Sequence, residues 1–151
     1  MSSLKETLRS DLTESIRNRD ELRSATLRMA LTAVTNEEVA GKEARELSDD
    51  DVLSVLTREA KRRREAATAY DEAKRPELAD RERAELVVLE GYLPAQLSDE
   101  ELSALVAEVI AETGAEGPRG IGLVMKGIQP KVGKRADGGR VSAEVRRQLS
   151  L

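Results

Sequence analysis

The sequence predicts an all-α protein with two lobes, four helices in residues 1–94 and three short helices in residues 95–151. Apolar residues recur at helical spacing along most of the chain, and no segment alternates polar and apolar side chains as a half-buried strand does. Charged residues make up 36% of the 151 residues. This proportion suits narrow apolar stripes on solvated helices, whereas parallel strands need long apolar runs. Because Trp and Phe are absent and only two Tyr occur, the predicted core is aliphatic.

The N-terminal lobe shows clear signals for helix starts and ends. Leu4, Leu8, Leu12 and Ile16 recur at every fourth position and indicate the first helix. Ser48, followed by three aspartates, offers a capping oxygen and negative charge at a helix start. Pro76 restricts the residue before it, so a helix boundary is expected there. We predict the four helices over residues 4–16, 20–41, 48–75 and 76–93.

The C-terminal lobe begins after a short hinge that starts at Pro94. Ser98 and Glu101 match a capping box, in which each residue binds the backbone N–H of the other. Apolar residues follow at offsets 0, 3, 4, 7 and 8 from Leu102, and Gly114 is a typical residue after a helix end. The two remaining helices are predicted over residues 121–130, where Pro130 ends the helix, and 141–149.

The composition excludes several kinds of chemistry. The chain contains no histidine and no cysteine, which excludes imidazole and thiol catalysis and the metal sites that these side chains build. No segment approaches the ~18 apolar residues of a membrane span, and the N-terminus lacks the apolar core of a signal peptide. We therefore expect a cytoplasmic protein with no cofactor and no membrane partner.

Charge is divided sharply along the C-terminal lobe. Residues 98–117 contain six acids and no base, for a net charge of −6, whereas residues 118–151 contain eight bases and two acids, for a net charge of +6. Two interpretations remain open at this stage. The acidic and basic helices can neutralise each other, or the basic segment can form an anion-binding surface.

A glycine-rich loop favours the second interpretation. Lys131, Lys134 and Arg135 lie in or beside a flexible segment that leads into the last helix, and a helix N-terminus is a suitable place for an anion. Gly133-Lys134 is followed by Arg135, so the Ser or Thr of a P-loop is missing and nucleotide hydrolysis is not expected. The lack of aromatic side chains disfavours base stacking, so RNA would be bound through phosphates and shape, with steep salt dependence.

Two other charged clusters have simpler explanations. The bases Arg58 and 61–64 are distributed around most of the third helix, and acids lie close by, which favours a solvated, ion-paired helix. Asp49 to Asp51 are explained by the helix start, because consecutive helical residues point in different directions and do not form a metal site.

Several segments of the chain match the motifs of a known protein family. Residues 88–102, which read VLEGYLPAQLSDEEL, resemble the segment that joins the two parts of the YqeY-like proteins of the GatB/YqeY family. The sequence departs from the family pattern at Lys134, because glycine usually stands directly before Arg135-Ala-Asp-Gly. Further similar segments are Leu27-Arg28-Met29, Asn36-Glu37, Glu59–Arg63, Gly122–Lys126, Pro130-Lys-Val and Arg135–Gly138 followed by Val141.

The resemblance implies a role close to tRNA. The C-terminal lobe looks like the tail of the B subunit of the glutamine-dependent tRNA amidotransferase, which is associated with holding tRNA. It implies tRNA or another folded RNA as a partner, together with amidotransferase or aminoacyl-tRNA synthetase components. The side chains expected to contact nucleic acid are Lys126, Lys131, Lys134, Arg135, Arg140, Arg146 and Arg147. The glycines expected to allow turns and close backbone approach are Gly122, Gly138 and Gly139.

Three functions are therefore considered. The first is a tRNA-binding or amidotransferase-associated accessory protein. In this case the family's label of carbon–nitrogen ligase with glutamine as amido donor is inherited from the amidotransferase and does not describe an activity of this chain alone. The second is a protein–protein adaptor that uses the helix at 48–75 or the acidic segment at 98–117. The third is an enzyme with weak amidotransferase or ligase activity, for which no catalytic residues can be named.

Overall fold

A computed structural model describes residues 3–151, which form seven helices and no strand in that range. The prediction of an all-α fold is confirmed. The chain divides into two compact units, the N-terminal unit Met1–Leu93 and the C-terminal unit Pro94–Leu151. The helices are α1 Leu4–Arg17, α2 Glu21–Glu38, α3 Asp49–Glu72, α4 Pro76–Glu90, α5 Asp99–Thr113, α6 Gly120–Val132 and α7 Gly138–Gln148.

The N-terminal unit packs α1 to α4 around an aliphatic core. Leu8, Leu27 and Leu56 are fully buried at its centre. Ile16, predicted to continue the apolar stripe of α1, is 49% exposed, whereas Ser15 beside it is buried. The predicted cap at Ser48 is confirmed, since its side chain accepts a hydrogen bond from the backbone N–H three residues later.

Three predicted bounds are wrong by three residues, because α2 ends at Glu38 rather than 41, α4 ends at Glu90 rather than 93 and α7 begins at Gly138 rather than 141. Two further helix ends are wrong for identifiable backbone reasons. α3 ends at Glu72 rather than near residue 75, because Lys74 adopts a positive φ of 61° and the chain turns before α4. α6 continues past Pro130 to Val132. A proline in the last turn removes one backbone donor, and the helix stops only at Gly133, whose φ of 55° and ψ of −126° favour glycine.

Arg63 joins α3 to α4 through a partly buried ion cluster. Its guanidinium lies 3.3 Å from Glu85, 3.4 Å from Glu82 and 3.7 Å from Glu59. The Arg63 side chain is 16% exposed. Arg62 also pairs with Glu59 and Arg81 with Glu85, so three cations stand against three carboxylates. Burial raises the pKa of Glu82 despite the attraction of Arg63, which makes this one carboxylate costly to keep ionised.

Tyr92 connects the segment after α4 to α1 and α2. Its hydroxyl donates to Asp11 Oδ2 at 2.5 Å and accepts from Arg23 Nη2 at 2.9 Å. Burial and the hydrogen bond to Asp11 raise the pKa of the phenol, which keeps it protonated as a donor. The first residue of the Tyr-Leu-Pro sequence thus stabilises the N-terminal unit.

The C-terminal unit packs α5, α6 and α7 around a second core of valine and isoleucine. The predicted capping box of Ser98 and Glu101 is confirmed, as is the helix end at Gly114. A Cβ atom added at Gly127 would lie 2.9 Å from Val109 Cγ1, so α5 and α6 approach closely at this glycine. The fully buried residues of this core are Val106, Val109, Val124, Ile128, Val141 and Val145.

Within residues 3–151 no helix combines the length and the apolar character needed to cross a membrane.

Candidate nucleic-acid interface

The basic residues of the C-terminal unit are carried by α6, by the loop at residues 133–137 and by α7. Their side chains differ in accessibility. Lys126, Arg135, Arg146 and Arg147 are exposed, whereas Lys131, Lys134 and Arg140 are half-buried. The segment with a net charge of +6 is therefore not a uniform basic surface. The contacts of each basic side chain show whether its charge is paired within the protein or exposed to solvent.

Lys131 is bound by two carboxylates of α5. Its Nζ lies 2.7 Å from Glu108 Oε1 and 3.3 Å from Glu112 Oε1. The hydrogen bond from Lys131 lowers the pKa of Glu108, and the same bond raises the pKa of Lys131. At this position the acidic and basic helices pair with each other, as the first charge interpretation stated.

Arg140 connects α7 to the start of α5. One nitrogen of its guanidinium, Nη2, lies 2.9 Å from Asp99 Oδ1 and 3.0 Å from the carbonyl oxygen of Leu97. Arg147 pairs within its own helix, 2.5 Å from Glu144 Oε1. Hydrogen bonds from Arg147 and Gln148 lower the pKa of Glu144 to about 2. Both arginines are engaged in ion pairs inside this unit.

Lys126, Arg135 and Arg146 have a different environment. All three are exposed, and none of them has an ion-pair partner within 4 Å among residues 3–151. Arg135 donates to the backbone carbonyl of Lys131 at 2.5 Å, which orients its guanidinium. Hydrogen bonds from Ser98 and, more weakly, the charge of Arg135 lower the pKa of Glu101. Arg119, at the start of α6, is also exposed and was not among the predicted residues.

The loop at residues 133–137 is hydrogen-bonded to residues 94–97, which precede α5 in the same unit. The backbone N–H of Leu97 donates to the carbonyl of Arg135 at 2.8 Å, and Gln96 Nε2 donates to the carbonyl of Lys134 at 3.2 Å. The family-like residues 94–97 and 133–137 are therefore in direct contact. Gln96 is a positioning residue that the sequence reasoning missed, although it lies inside a motif that was identified.

The N-terminus of α7 does not offer the vacant anion site that was predicted. Asp137 caps the helix, and its Oδ1 accepts the backbone N–H of Arg140 at 3.1 Å. A carboxylate already occupies this end of the helix, so an added phosphate would be repelled. A Cβ atom at Gly139 would lie 3.1 Å from that carboxylate oxygen, which explains a glycine at this position.

The predicted turn glycines lie in helices. Gly138 and Gly139 are the first two residues of α7, and Gly122 lies in the first turn of α6. The turn of this region is formed at Gly133, because only there does the backbone take a positive φ between α6 and α7. A Cβ atom at Gly122 would contact nothing within 4 Å, so the backbone is accessible on the exposed side of α6.

Two exposed arginines of the basic cluster on α3 form ion pairs with nearby glutamates. Arg58 lies 3.2 Å from Glu37, and Arg62 lies 3.3 Å from Glu59. This agrees with the interpretation of a solvated, ion-paired helix. In the described part of the chain, no three acidic side chains converge in an arrangement that could hold a metal ion.

Comparison with known proteins agrees with the sequence motifs. The family model of the YqeY-like proteins matches residues 5–149. The chain is 26% identical over 113 residues to the altered inheritance of mitochondria protein 41, mitochondrial, of Kluyveromyces lactis, with 74% of this chain and 60% of that protein covered. It is 30% identical over 98 residues to the uncharacterized protein C22F3.15 of Schizosaccharomyces pombe, with 64% of this chain and 77% of that protein covered. The chain thus spans less than two thirds of the Kluyveromyces relative. Because this family model matches nearly the whole chain, the chain belongs to the YqeY-like protein family.

Proposed function

We propose that the C-terminal unit binds folded RNA, with tRNA as the expected ligand, and that the protein is an accessory to tRNA amidation. The observation that carries this proposal is the presence of three exposed cations, Lys126, Arg135 and Arg146, that form no ion pair with any of residues 3–151, in a segment of net charge +6. Exposed lysine and arginine side chains contact phosphates and release counterions from the nucleic acid. Such contacts position an RNA without reading its bases.

The surface of α6 suits a phosphate backbone. Lys126 follows Gly122 by four residues, which places the two on the same side of the helix. Because Gly122 has no side chain and nothing lies near its Cβ position, an RNA strand can approach the helix closely beside the lysine. No Trp or Phe is present for base stacking, so this mode would recognise RNA shape rather than sequence.

Lys131, Arg140 and Arg147 take a supporting role in this proposal. The ion pairs of Lys131 and Arg140 join α6 and α7 to α5, whereas the ion pair of Arg147 lies within α7. The loop that carries Arg135 is fixed by Gln96 and Leu97. We further propose a cytoplasmic location, because a chain without cysteine is suited to a reducing compartment.

Gel retardation of transcribed tRNA by the full chain tests RNA binding. The variant carries Lys126→Glu, Arg135→Glu and Arg146→Glu. The matched control carries Arg17→Glu, Lys42→Glu and Lys61→Glu, three exposed cations of the N-terminal unit without ion pairs among the described residues. We expect the variant to lose at least about tenfold in affinity near 0.1 M salt and the control to lose less than about threefold. Equal losses, or binding that does not respond to salt, would contradict the proposal.

A second assay addresses catalysis. Purified protein is incubated with glutamine, ATP and Glu-tRNA(Gln), and released glutamate is measured. We expect no glutamate from this chain alone and expect amidation only when an amidotransferase is added. Glutamate release by the isolated protein would replace the accessory role with an enzymatic one.

A further inference from the structure

A second surface, in the N-terminal unit, is separate from the basic residues of the C-terminal unit. An open groove of about 730 Å³ lies between α2 and α3. Its α2 side extends from Ala25 to Glu37, with Ala40 beyond the end of the helix, and its α3 side extends from Val55 to Arg63. At 1.5 Å per residue the α2 side is roughly 18 Å long, which is the length of about three helical turns.

The exposed side of α2 along this groove is poor in charge. Between Met29 and Ala40 every exposed residue is uncharged, although charged residues make up 36% of the chain. Met29 lines the groove and is 36% exposed. The small side chains of Ala25 and Ala33 also line it. The uncharged exposed residues that line the groove are Met29, Thr32, Asn36 and Ala40.

The charged side chains that line the groove are mainly arginines. Four arginines stand against the two carboxylates of Glu37 and Glu59. Arg58 and Arg62 pair with these acids but keep 61% and 70% of their side chains exposed. Arg28 is exposed and has no ion-pair partner among the described residues. Arg63 also binds Glu82 and Glu85, which lie outside the groove. The positive charge that remains accessible to an anionic partner is therefore that of Arg28, with the exposed guanidinium groups of Arg58 and Arg62 beside it.

We propose that this groove binds an amphipathic helix of a partner protein, with small apolar side chains against α2 and carboxylates against the arginines. A groove several turns long that accepts a helix through its apolar face is an established mode of recognition. Methionine and arginine are enriched at protein interfaces, and arginine forms strong, directional bonds with carboxylates. The uncharged side of α2 offers no cation to a phosphate backbone, whereas its small apolar side chains can pack against a protein helix.

The inference is tested with a designed probe and the full chain. The probe is a fluorescein-labelled helical peptide of about 18 residues, roughly 27 Å long, with alanine and leucine on one side and glutamate along both flanks. A control peptide has lysine in place of each glutamate. Fluorescence anisotropy should show binding of the acidic peptide and little binding of the basic peptide.

Variants of the protein locate the binding surface. Arg28→Glu should weaken binding of the acidic peptide at least about fivefold, whereas Lys61→Glu, the same charge change on an exposed residue outside the groove, should change it less than about twofold. Thr32→Trp places a large side chain in the groove at an exposed position and should abolish binding. Circular dichroism confirms that each variant is folded.

Several outcomes would overturn the inference. One is equal binding of the two peptides, and another is binding that survives both Arg28→Glu and Thr32→Trp. Loss of tRNA retention in these variants would make the groove an RNA surface, and loss of self-association in analytical ultracentrifugation would assign it to a second copy of the chain. The triple variant of Lys126, Arg135 and Arg146 should leave peptide binding unchanged, which separates this test from that of RNA binding.

Discussion

Lys131 Nζ lies 2.7 Å from Glu108 Oε1, so a lysine that the sequence assigned to RNA contact neutralises the acidic helix α5. Glu112 contributes a second carboxylate at 3.3 Å. Lys126, five residues earlier on the same helix α6, is exposed and has no such partner in the described part of the chain. The two lysines of one helix therefore have different expected roles.

This difference predicts the salt dependence of tRNA binding. Lys126→Gln should lower the slope of log affinity against log salt by about one, because one phosphate contact is lost. Lys131→Gln should leave that slope nearly unchanged, since its charge is already used by α5. Filter binding at several salt concentrations measures both slopes. If Lys131→Gln lowers the slope as much as Lys126→Gln does, Lys131 leaves its two carboxylate partners and contacts a phosphate when RNA binds.

Glu82 predicts a specific dependence of stability on pH. Burial raises the pKa of Glu82 in the folded state above its ordinary value of 4.5. The stability associated with the protonated Glu82 carboxyl is therefore fully present below the pKa of the unfolded chain and is lost as the pH rises through the pKa of the folded protein. Glu82→Gln should stabilise the protein at pH 7 by up to about 1 kcal/mol. The difference from wild type should disappear near pH 4.

Urea unfolding at the two pH values measures this effect. Glu77→Gln is a suitable control, because Glu77 is exposed and its pKa is lowered by the hydrogen bond from Arg75. The control should not gain stability at pH 7. A loss of stability in Glu82→Gln at pH 7 would mean that its attraction to Arg63 outweighs the cost of burial.

Two glycines of α6 should respond oppositely to alanine. A Cβ atom at Gly127 would lie 2.9 Å from Cγ1 of Val109, a stiff and buried side chain. Gly127→Ala should therefore destabilise the C-terminal unit by about 1–2 kcal/mol through overpacking. Gly122→Ala meets nothing within 4 Å and should stabilise α6 by up to about 1 kcal/mol.

Thermal unfolding of both variants, followed by circular dichroism, provides the comparison. The two substitutions add the same methyl group to the same helix, so each is the control of the other. A stabilising Gly127→Ala would show that α5 can move away from α6 at little cost. The Gly122 variant also tests RNA binding, which should weaken if the strand approaches this backbone.

Tyr92→Phe should destabilise the N-terminal unit without changing its fold. The substitution removes the hydroxyl that donates to Asp11 and accepts from Arg23. A loss of about 1–2 kcal/mol is expected, because both partners lose a hydrogen bond in a partly buried place. Arg23 still lies 3.8 Å from Asp11, which limits the loss. Urea unfolding measures it, and a change below a few tenths of a kcal/mol would show that water replaces the hydroxyl at no cost.

Local signals account for what the sequence predicted well. Ser48, Ser98 and Gly114 were identified as helix boundaries, and the structure confirms them. Caps and apolar spacing depend on neighbouring residues, so a single sequence contains the necessary information. The end of α6 was predicted at Pro130, where the local rule was too strict, because a proline in a last turn removes only one donor.

The individual roles of the charged residues could not be predicted in this way. Net charges of −6 and +6 along residues 98–117 and 118–151 allowed both mutual pairing and anion binding. The structure shows Lys131 and Arg140 paired with α5 and shows Lys126 exposed without a partner among the described residues. These contacts span 23 and 41 positions of sequence, so they depend on how the helices pack.

The all-α class, the helix starts capped by Ser48 and Ser98 and the family could be predicted from the residues alone, because they follow from spacing, caps and motifs within short segments. The neutralised cations, the carboxylate of Asp137 at the start of α7 and the groove between α2 and α3 became evident from the packed helices. The two groups of features differ in the range of the interactions that produce them. Backbone conformation is set by near neighbours, whereas ion pairing and accessibility depend on residues that only folding brings together.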